Sequence, residues 1–268
     1  MPQDDSQITQ PSSPALSAFI AEMERFPVWT LADVAKIAII AFVAIIFSIV
    51  LVIMIATGLP WFRGMPMTDV VTDARLATVS QLLAYLITLW FVYRLIVRHY
   101  GIPFAEGIRW RWPRISWPVY ISGGILLCVA IQALGHMLPQ PKHVPLEDLF
   151  RTPLAAWLLT IFGTFIAPPA EELFFRGLLF PALDRTMNLF WSVFLTALPF
   201  ALLHGGQLAF SWSPLLGIFI VGVVLTLVRA RAESLAASVL VHMAYNATTF
   251  GMVIYATHGF QHLQKLTS

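Results

Sequence analysis

An all-α, polytopic bundle of transmembrane helices is the fold class that three observations predict. The chain of 268 residues is 58% hydrophobic and only 11% charged, against about 25% charged in ordinary soluble domains. Its mean hydropathy is +0.78. Its apolar residues gather into runs close to the ~20 residues that cross about 30 Å of hydrocarbon. Seven such runs occur, at approximately 34–57, 76–97, 117–138, 152–183, 188–204, 212–229 and 234–256. About seven membrane helices are therefore expected, eight if a re-entrant segment is hidden among them.

Each element has its own signal. Residues 1–33 carry five acids (Asp4, Asp5, Glu22, Glu24, Asp33) against Arg25 alone, with Pro11, Pro14 and several Ser and Gln. They read as a polar tail ending in a short amphipathic stretch. A basic segment followed directly by an apolar one is missing, so the tail does not read as a signal peptide and the first helix should stay in place. The first three runs, with their loops, occupy 34–150. The fourth is long, and Pro168-Pro169 in its middle should kink it or split it into two half-helices, because proline removes a backbone donor and clashes with the preceding turn. The fifth is short and ends at His204-Gly205-Gly206, a plausible helix stop. The sixth and seventh complete a unit at 151–256, and 257–268 form a short tail. No polar linker inside 34–256 is long enough to separate soluble domains, so one membrane domain is expected.

Charge sets the orientation and removes one class of function. The formal net charge of +2, with no basic run or basic patch among exposed aromatics, argues against nucleic acid. The loop between the second and third runs holds Arg94, Arg98, Arg109, Arg111 and Arg114, which marks it as cytoplasmic by the positive-inside rule. Alternating outward from that loop puts the amino terminus inside. The single cysteine, Cys128, lies in an apolar run, so neither a disulfide nor a Cys-ligated metal is available.

Within the fourth run stand Glu171, Glu172 and Arg176, and an ionisable group inside a membrane costs at least about 2.5–3.5 kcal/mol on insertion scales. Glu172 and Arg176 are four apart with the acid first, which suits an intrahelical ion pair. Glu171 points about 100° away and is left for another partner. Counted from the connection near Asp184–Asn188, Glu171 and His204 both lie roughly 20–25 Å along their helices. His242 and Asn246 share one face of the seventh helix at a nearby depth. A desolvated carboxylate is a natural general base, a histidine can help activate water, and a His–Asn face can donate to an oxyanion. Together these are the parts for water attack on an amide. No Ser or Cys in the cluster has an obvious activating base. Each residue also has an ordinary structural use: an ion pair for Glu172 and Arg176, interhelical hydrogen bonds for His242 and Asn246, a helix-end histidine for His204, core for Phe200.

The pattern Glu171-Glu172-x-x-x-Arg176, then Phe200-x-x-x-His204, then His242-x-x-x-Asn246 resembles the three signature motifs of the CAAX-protease and bacteriocin-processing family of intramembrane glutamic endopeptidases, also called the Abi family. The resemblance covers about residues 150–250. It implies that Glu171 and His204 activate the water, that His242 and Asn246 form the oxyanion site, and that Glu172, Arg176 and Phe200 support them. It also implies a membrane-associated peptide or protein as substrate, while the short tail and the lack of a targeting segment look bacterial and point to the inner, or plasma, membrane. No cofactor is expected. The family has also been described as metalloproteases, and Zn²⁺ held by Glu171, His204 and His242 is the alternative, although no HExxH is present. A transporter or a non-catalytic scaffold would use buried Glu, Arg and His too, but a transporter predicts inverted repeats and polar stripes, and neither is seen.

Overall fold

The computed structural model describes residues 27–113 and 115–266. Most of the expected polar tail, with Arg25, lies outside the described residues, as does Arg114. The described residues form helices and turns with no strand. Among the described residues six helices are long and apolar enough to cross a membrane: α1 (Leu31–Gly58), α2 (Ala74–His99), α3 (Trp117–Met137), α4 (Pro153–Asp184), α6 (Trp212–Ala232) and α7 (Leu235–Ala256), with the shorter α5 (Leu189–Leu203) between α4 and α6. The all-α multi-pass bundle expected from composition is thus the observed fold. At 1.5 Å per residue the 15 residues of α5 cover about 22 Å, short of the bilayer core.

Capping residues set the helix starts. Thr30 and Asp33 form a reciprocal capping box at α1, and Asp73, Thr152, Asn188 and Ser234 cap α2, α4, α5 and α7 with their side chains. The outward faces are apolar: Ile39, Phe42, Val43 and Ile46 on α1 and Leu86 and Trp90 on α2 are exposed, as lipid-facing side chains must be. Exposed Trp61, Trp110, Trp112, Trp117 and Trp212 sit at or beyond helix ends, where the indole suits a membrane interface.

Three pairings build the bundle: α1 with α2, α3 with α7, and α5 with α6, gathered around α4. Gly124 is what lets α3 approach α7, since a Cβ there would lie 2.7 Å from Ala244 Cβ. Gly222 plays the same part on α6, where a Cβ would press on Ala197 and Phe200 of α5 at 3.1 Å. Near the amino terminus, Trp29 Nε1 donates to Leu178 O at 3.1 Å and Tyr100 OH to Asp33 Oδ2 at 2.6 Å, tying α1 to α4 and to the segment after α2.

The prolines of α4 do not split it into two half-helices. The helix widens instead, into π-helical turns at Phe162–Ile166 and Leu173–Leu179. Ala167 N–H donates to Phe162 O and Phe180 N–H to Phe175 O, each five residues back. The wide turns end just before Pro168 and Pro181, where the i→i−4 ladder would lose a donor in any case. Several carbonyls are thereby left without their usual partner, Gly163 O and Arg176 O among them. Gly163 O would pair with Ala167 N–H in an α-helix, and the next donor in line would be Pro168, which has none. Arg176 O is in the same position with respect to Phe180 and Pro181.

Candidate active site

Gly163 O and Arg176 O are met by side chains from other helices. Asn246 Nδ2, on α7, donates to Gly163 O at 2.7 Å, and Arg229 Nε, on α6, donates to Arg176 O at 3.1 Å. Buried backbone acceptors need such partners. The first of these bonds also orients Asn246, and one amide hydrogen remains after it is made.

Between these two points lies a buried polar knot. Glu172 and Arg176 are fully buried. Arg176 Nη1 donates to Glu172 Oε1 at 2.7 Å, Nη2 to Gly222 O at 2.8 Å and Nε to Thr226 Oγ1 at 3.2 Å. Its guanidinium also lies 4.5 Å from the centre of the Phe200 ring, a cation–π distance. The guanidinium is therefore held on its edges and on one face.

His242 of α7 joins the two glutamates. Its Nδ1 is 3.0 Å from Glu172 Oε1, and its Nε2 is 3.9 Å from Glu171 Oε2. A carboxylate only accepts, so Nδ1 carries the hydrogen, and Nε2 is the atom turned toward Glu171. Glu171 is less enclosed, its side chain about 20% exposed, and Tyr85 OH of α2 donates to its Oε1 at 3.4 Å. With Glu171, Glu172, Arg176 and His242 all ionised, the four charges cancel. A neutral group of four is far cheaper to bury than any of its members alone.

His204 stands at the end of α5. Its Nδ1 donates to Phe200 O at 2.8 Å, which leaves Nε2 as the acceptor in the neutral ring. Its ring centre is 5.0 Å from that of Phe200, and Phe200 meets the His242 ring edge-to-face at 5.9 Å. Phe200 thus separates the two imidazoles and packs against both. The structure brings Glu171, Glu172, Arg176 and His242 into one network; His204 adjoins it through Phe200, and Asn246 through Gly163. Among the described residues no hydrogen bond or ion pair links His204 or Asn246 to Glu171.

Sequence reasoning did not reach Tyr85, Thr226, Gly222 or Arg229. Tyr85 comes from α2, a helix without motif residues, and is fixed by stacking on Phe162 of α4, ring centres 5.8 Å apart and 9° from parallel. A tyrosine within an otherwise apolar run was the one available sign. Beside it opens a cavity of about 480 Å³ between α2, α4 and the 104–110 segment, lined by Leu82, Tyr85, Leu89, Pro169, Phe174 and other apolar groups.

Zinc would need at least three protein donors around one point, each about 2.0–2.2 Å from the ion. Among the described residues no three His, Cys, Asp or Glu side chains gather in this way. In both histidines Nδ1 is engaged, with Glu172 and with Phe200 O, which leaves Nε2 as the nitrogen that could meet a metal. As they stand, the three donors of the zinc alternative, Glu171, His204 and His242, are not gathered at one point.

Residues 153–248 match the family model described as "Rce1-like: Type II CAAX prenyl endopeptidase Rce1-like". The matched stretch runs from the start of α4 into α7 and contains every motif residue named above, whereas Tyr85 and the large cavity's α2 wall lie outside it. The region is similar to membrane-embedded proteases, in keeping with the resemblance read from its motifs. No curated protein and no solved structure matches the chain.

Proposed function

Starting from the similarity of residues 153–248 to the Rce1-like endopeptidases, we propose that this chain is an intramembrane endopeptidase that hydrolyses peptide bonds in a membrane-associated peptide or protein. The observation that carries this reading is the single imidazole of His242 set between two carboxylates with different surroundings. Glu172 is enclosed and matched to Arg176. Glu171 is partly open, and Tyr85, which bonds it, lines an apolar cavity that suits the side chains flanking a scissile bond.

In the proposed reaction a water held by Glu171 and His204 Nε2 attacks the amide carbon, and its proton passes to the Glu171 carboxylate. The carbonyl oxygen, now negative, takes hydrogen bonds from Asn246 Nδ2 and from Nε2 of His242 in its doubly protonated form, with Glu172 balancing that ring's charge. The carbon–nitrogen bond then breaks. Glu171 returns the proton to the departing nitrogen, and the products are a carboxylic acid and an amine, between which the acid's proton then passes to give a carboxylate and an ammonium. No step passes through a metal. The proposal puts the protein in the inner, or plasma, membrane with its amino terminus cytoplasmic, on the Lys and Arg distribution.

Mass spectrometry of new peptide termini in membranes tests the function. Termini that appear with the wild-type chain and vanish with an equally abundant Glu171→Gln variant support it; an unchanged set of termini would favour a scaffold. Purified protein that loses cleavage on exhaustive chelation and regains it with zinc would overturn the metal-free mechanism.

A further inference from the structure

A second polar concavity lies away from the glutamates, between the first turns of α1 and the last turns of α2, with a volume of about 370 Å³. Lys36, Arg94, Arg98 and His99 line it, and among the described residues Asp33 is its one acid. That acid is already engaged. Its Oδ2 accepts from Thr30 N–H, the Thr30 hydroxyl and Tyr100 OH at 3.0, 2.8 and 2.6 Å, and its Oδ1 from Lys36 Nζ at 3.1 Å. Arg94 and Arg98 are exposed and lie in the π-helical end of α2, Arg94–His99. Arg94 packs over Trp90 at 5.2 Å, which holds its charge at the rim. Three cations therefore face one carboxylate whose acceptor capacity is in use.

The floor of the same concavity is apolar, formed by Ile37, Ile40, Phe91 and Leu95. A cationic rim above a hydrocarbon floor, at the ends of two membrane helices, matches one class of ligand. We propose that this concavity binds an anionic phospholipid, its phosphate against Arg94, Arg98 and Lys36 and the start of an acyl chain along Ile37, Ile40 and Phe91. Basic pockets between membrane helices recognise lipid head groups by this combination. Arginines that merely anchor helix ends at the interface would need neither the concavity nor a choice among lipids. The inference is independent of the protease reading.

Native mass spectrometry of the full chain, titrated with dioleoyl phosphatidylglycerol or dioleoyl phosphatidylcholine, tests it. The first phosphatidylglycerol should bind about tenfold more tightly or better, given the attraction of each basic residue to an anionic head group. Arg94→Gln with Arg98→Gln should remove that preference, while Arg63→Gln with Arg231→Gln, the same change in charge at other exposed positions, should keep it. Hydrogen exchange on the wild-type protein gives a reading that needs no variant: phosphatidylglycerol, and not phosphatidylcholine, should slow exchange in peptides covering 33–40 and 91–99. Equal binding of the two lipids, equal effects of the two double variants, or no protection in those peptides would overturn the proposal. Displacement of the lipid by millimolar inorganic phosphate alone would show a free-anion site instead.

Discussion

Replacing Arg176 by methionine removes the cation from a carboxylate that has no access to solvent. Glu172 would keep His242 Nδ1 and lose its 2.7 Å bond to the guanidinium. The other partners of Arg176 fare better. Gly222 O retains a donor in Thr226 Oγ1 at 2.7 Å, so no acceptor is orphaned on α6. The Phe200 face loses a cation–π contact worth about 0.5–2 kcal/mol, part of which a methionine against the ring restores. The dominant loss is the broken buried pair, about 3–5 kcal/mol. At about 2–4 °C per kcal/mol for a protein of this size, the midpoint should fall by roughly 6–20 °C. Cys128 supplies the assay, because it is the sole cysteine and fully buried: a thiol-reactive fluorophore will report its exposure as the protein is heated in detergent. The double variant Glu172→Gln with Arg176→Met removes the stranded charge while keeping an acceptor for His242, and it should recover at least half of the loss. An Arg176→Met midpoint within about 4 °C of wild type, on the same scale, would refute the reasoning. So would a double variant as unstable as the two single changes added together.

Tyr85→Phe deletes the hydroxyl bonded to Glu171 and keeps the stacked ring, so turnover should fall by about tenfold, the worth of one modest hydrogen bond, with the thermal midpoint unchanged; cleavage of a reconstituted peptide checks this. Asn246→Ala strands Gly163 O and should cost about 1–3 kcal/mol of stability in the Cys128 assay, besides its effect on cleavage. Gly124→Leu should lower the midpoint more than Gly123→Leu, since Gly124 faces Ala244 and Gly123 meets open space. His143, in the loop after α3, is held between Glu147 and Asp148 at 3.0 and 3.2 Å, and these bonds raise its pKa above the ordinary 6.5. Its stabilising contribution is therefore complete below pH 6.5 and is lost as pH rises through the raised value. Proton titration by NMR, with His143→Gln as the blank, should show that order.

Composition and run length made the helical membrane fold legible, and spacing along single helices pointed to the pairing of Glu172 with Arg176. What spacing could not convey was contact between helices. His242 was read as turned toward an oxyanion; its second nitrogen, bonded to Glu172, depends on how α7 is rotated against α4, which no periodicity encodes. Tyr85 was missed for the same reason, since it reaches Glu171 from a helix 86 positions earlier in the chain. Of the kink or split expected at Pro168-Pro169, the split did not occur, for a local reason: a wide turn before the prolines accommodated the missing donors and kept α4 continuous. Proline residues show where the ladder is interrupted, but not which neighbouring side chain will complete it.

Those two interruptions also govern assembly. Apolar helix faces slide past one another in lipid with little preference for register, because hydrocarbon is as welcoming as a leucine surface. A lone carbonyl is different. It can be answered only by a donor at one height and one rotation, and α4 offers one such address to α7 at Gly163 and one to α6 at Arg176. A one-residue slip of either helix would strand a donor and an acceptor together. The prolines of α4 therefore act as a locating key, fixing the depth at which His242 meets the glutamates more narrowly than apolar packing can.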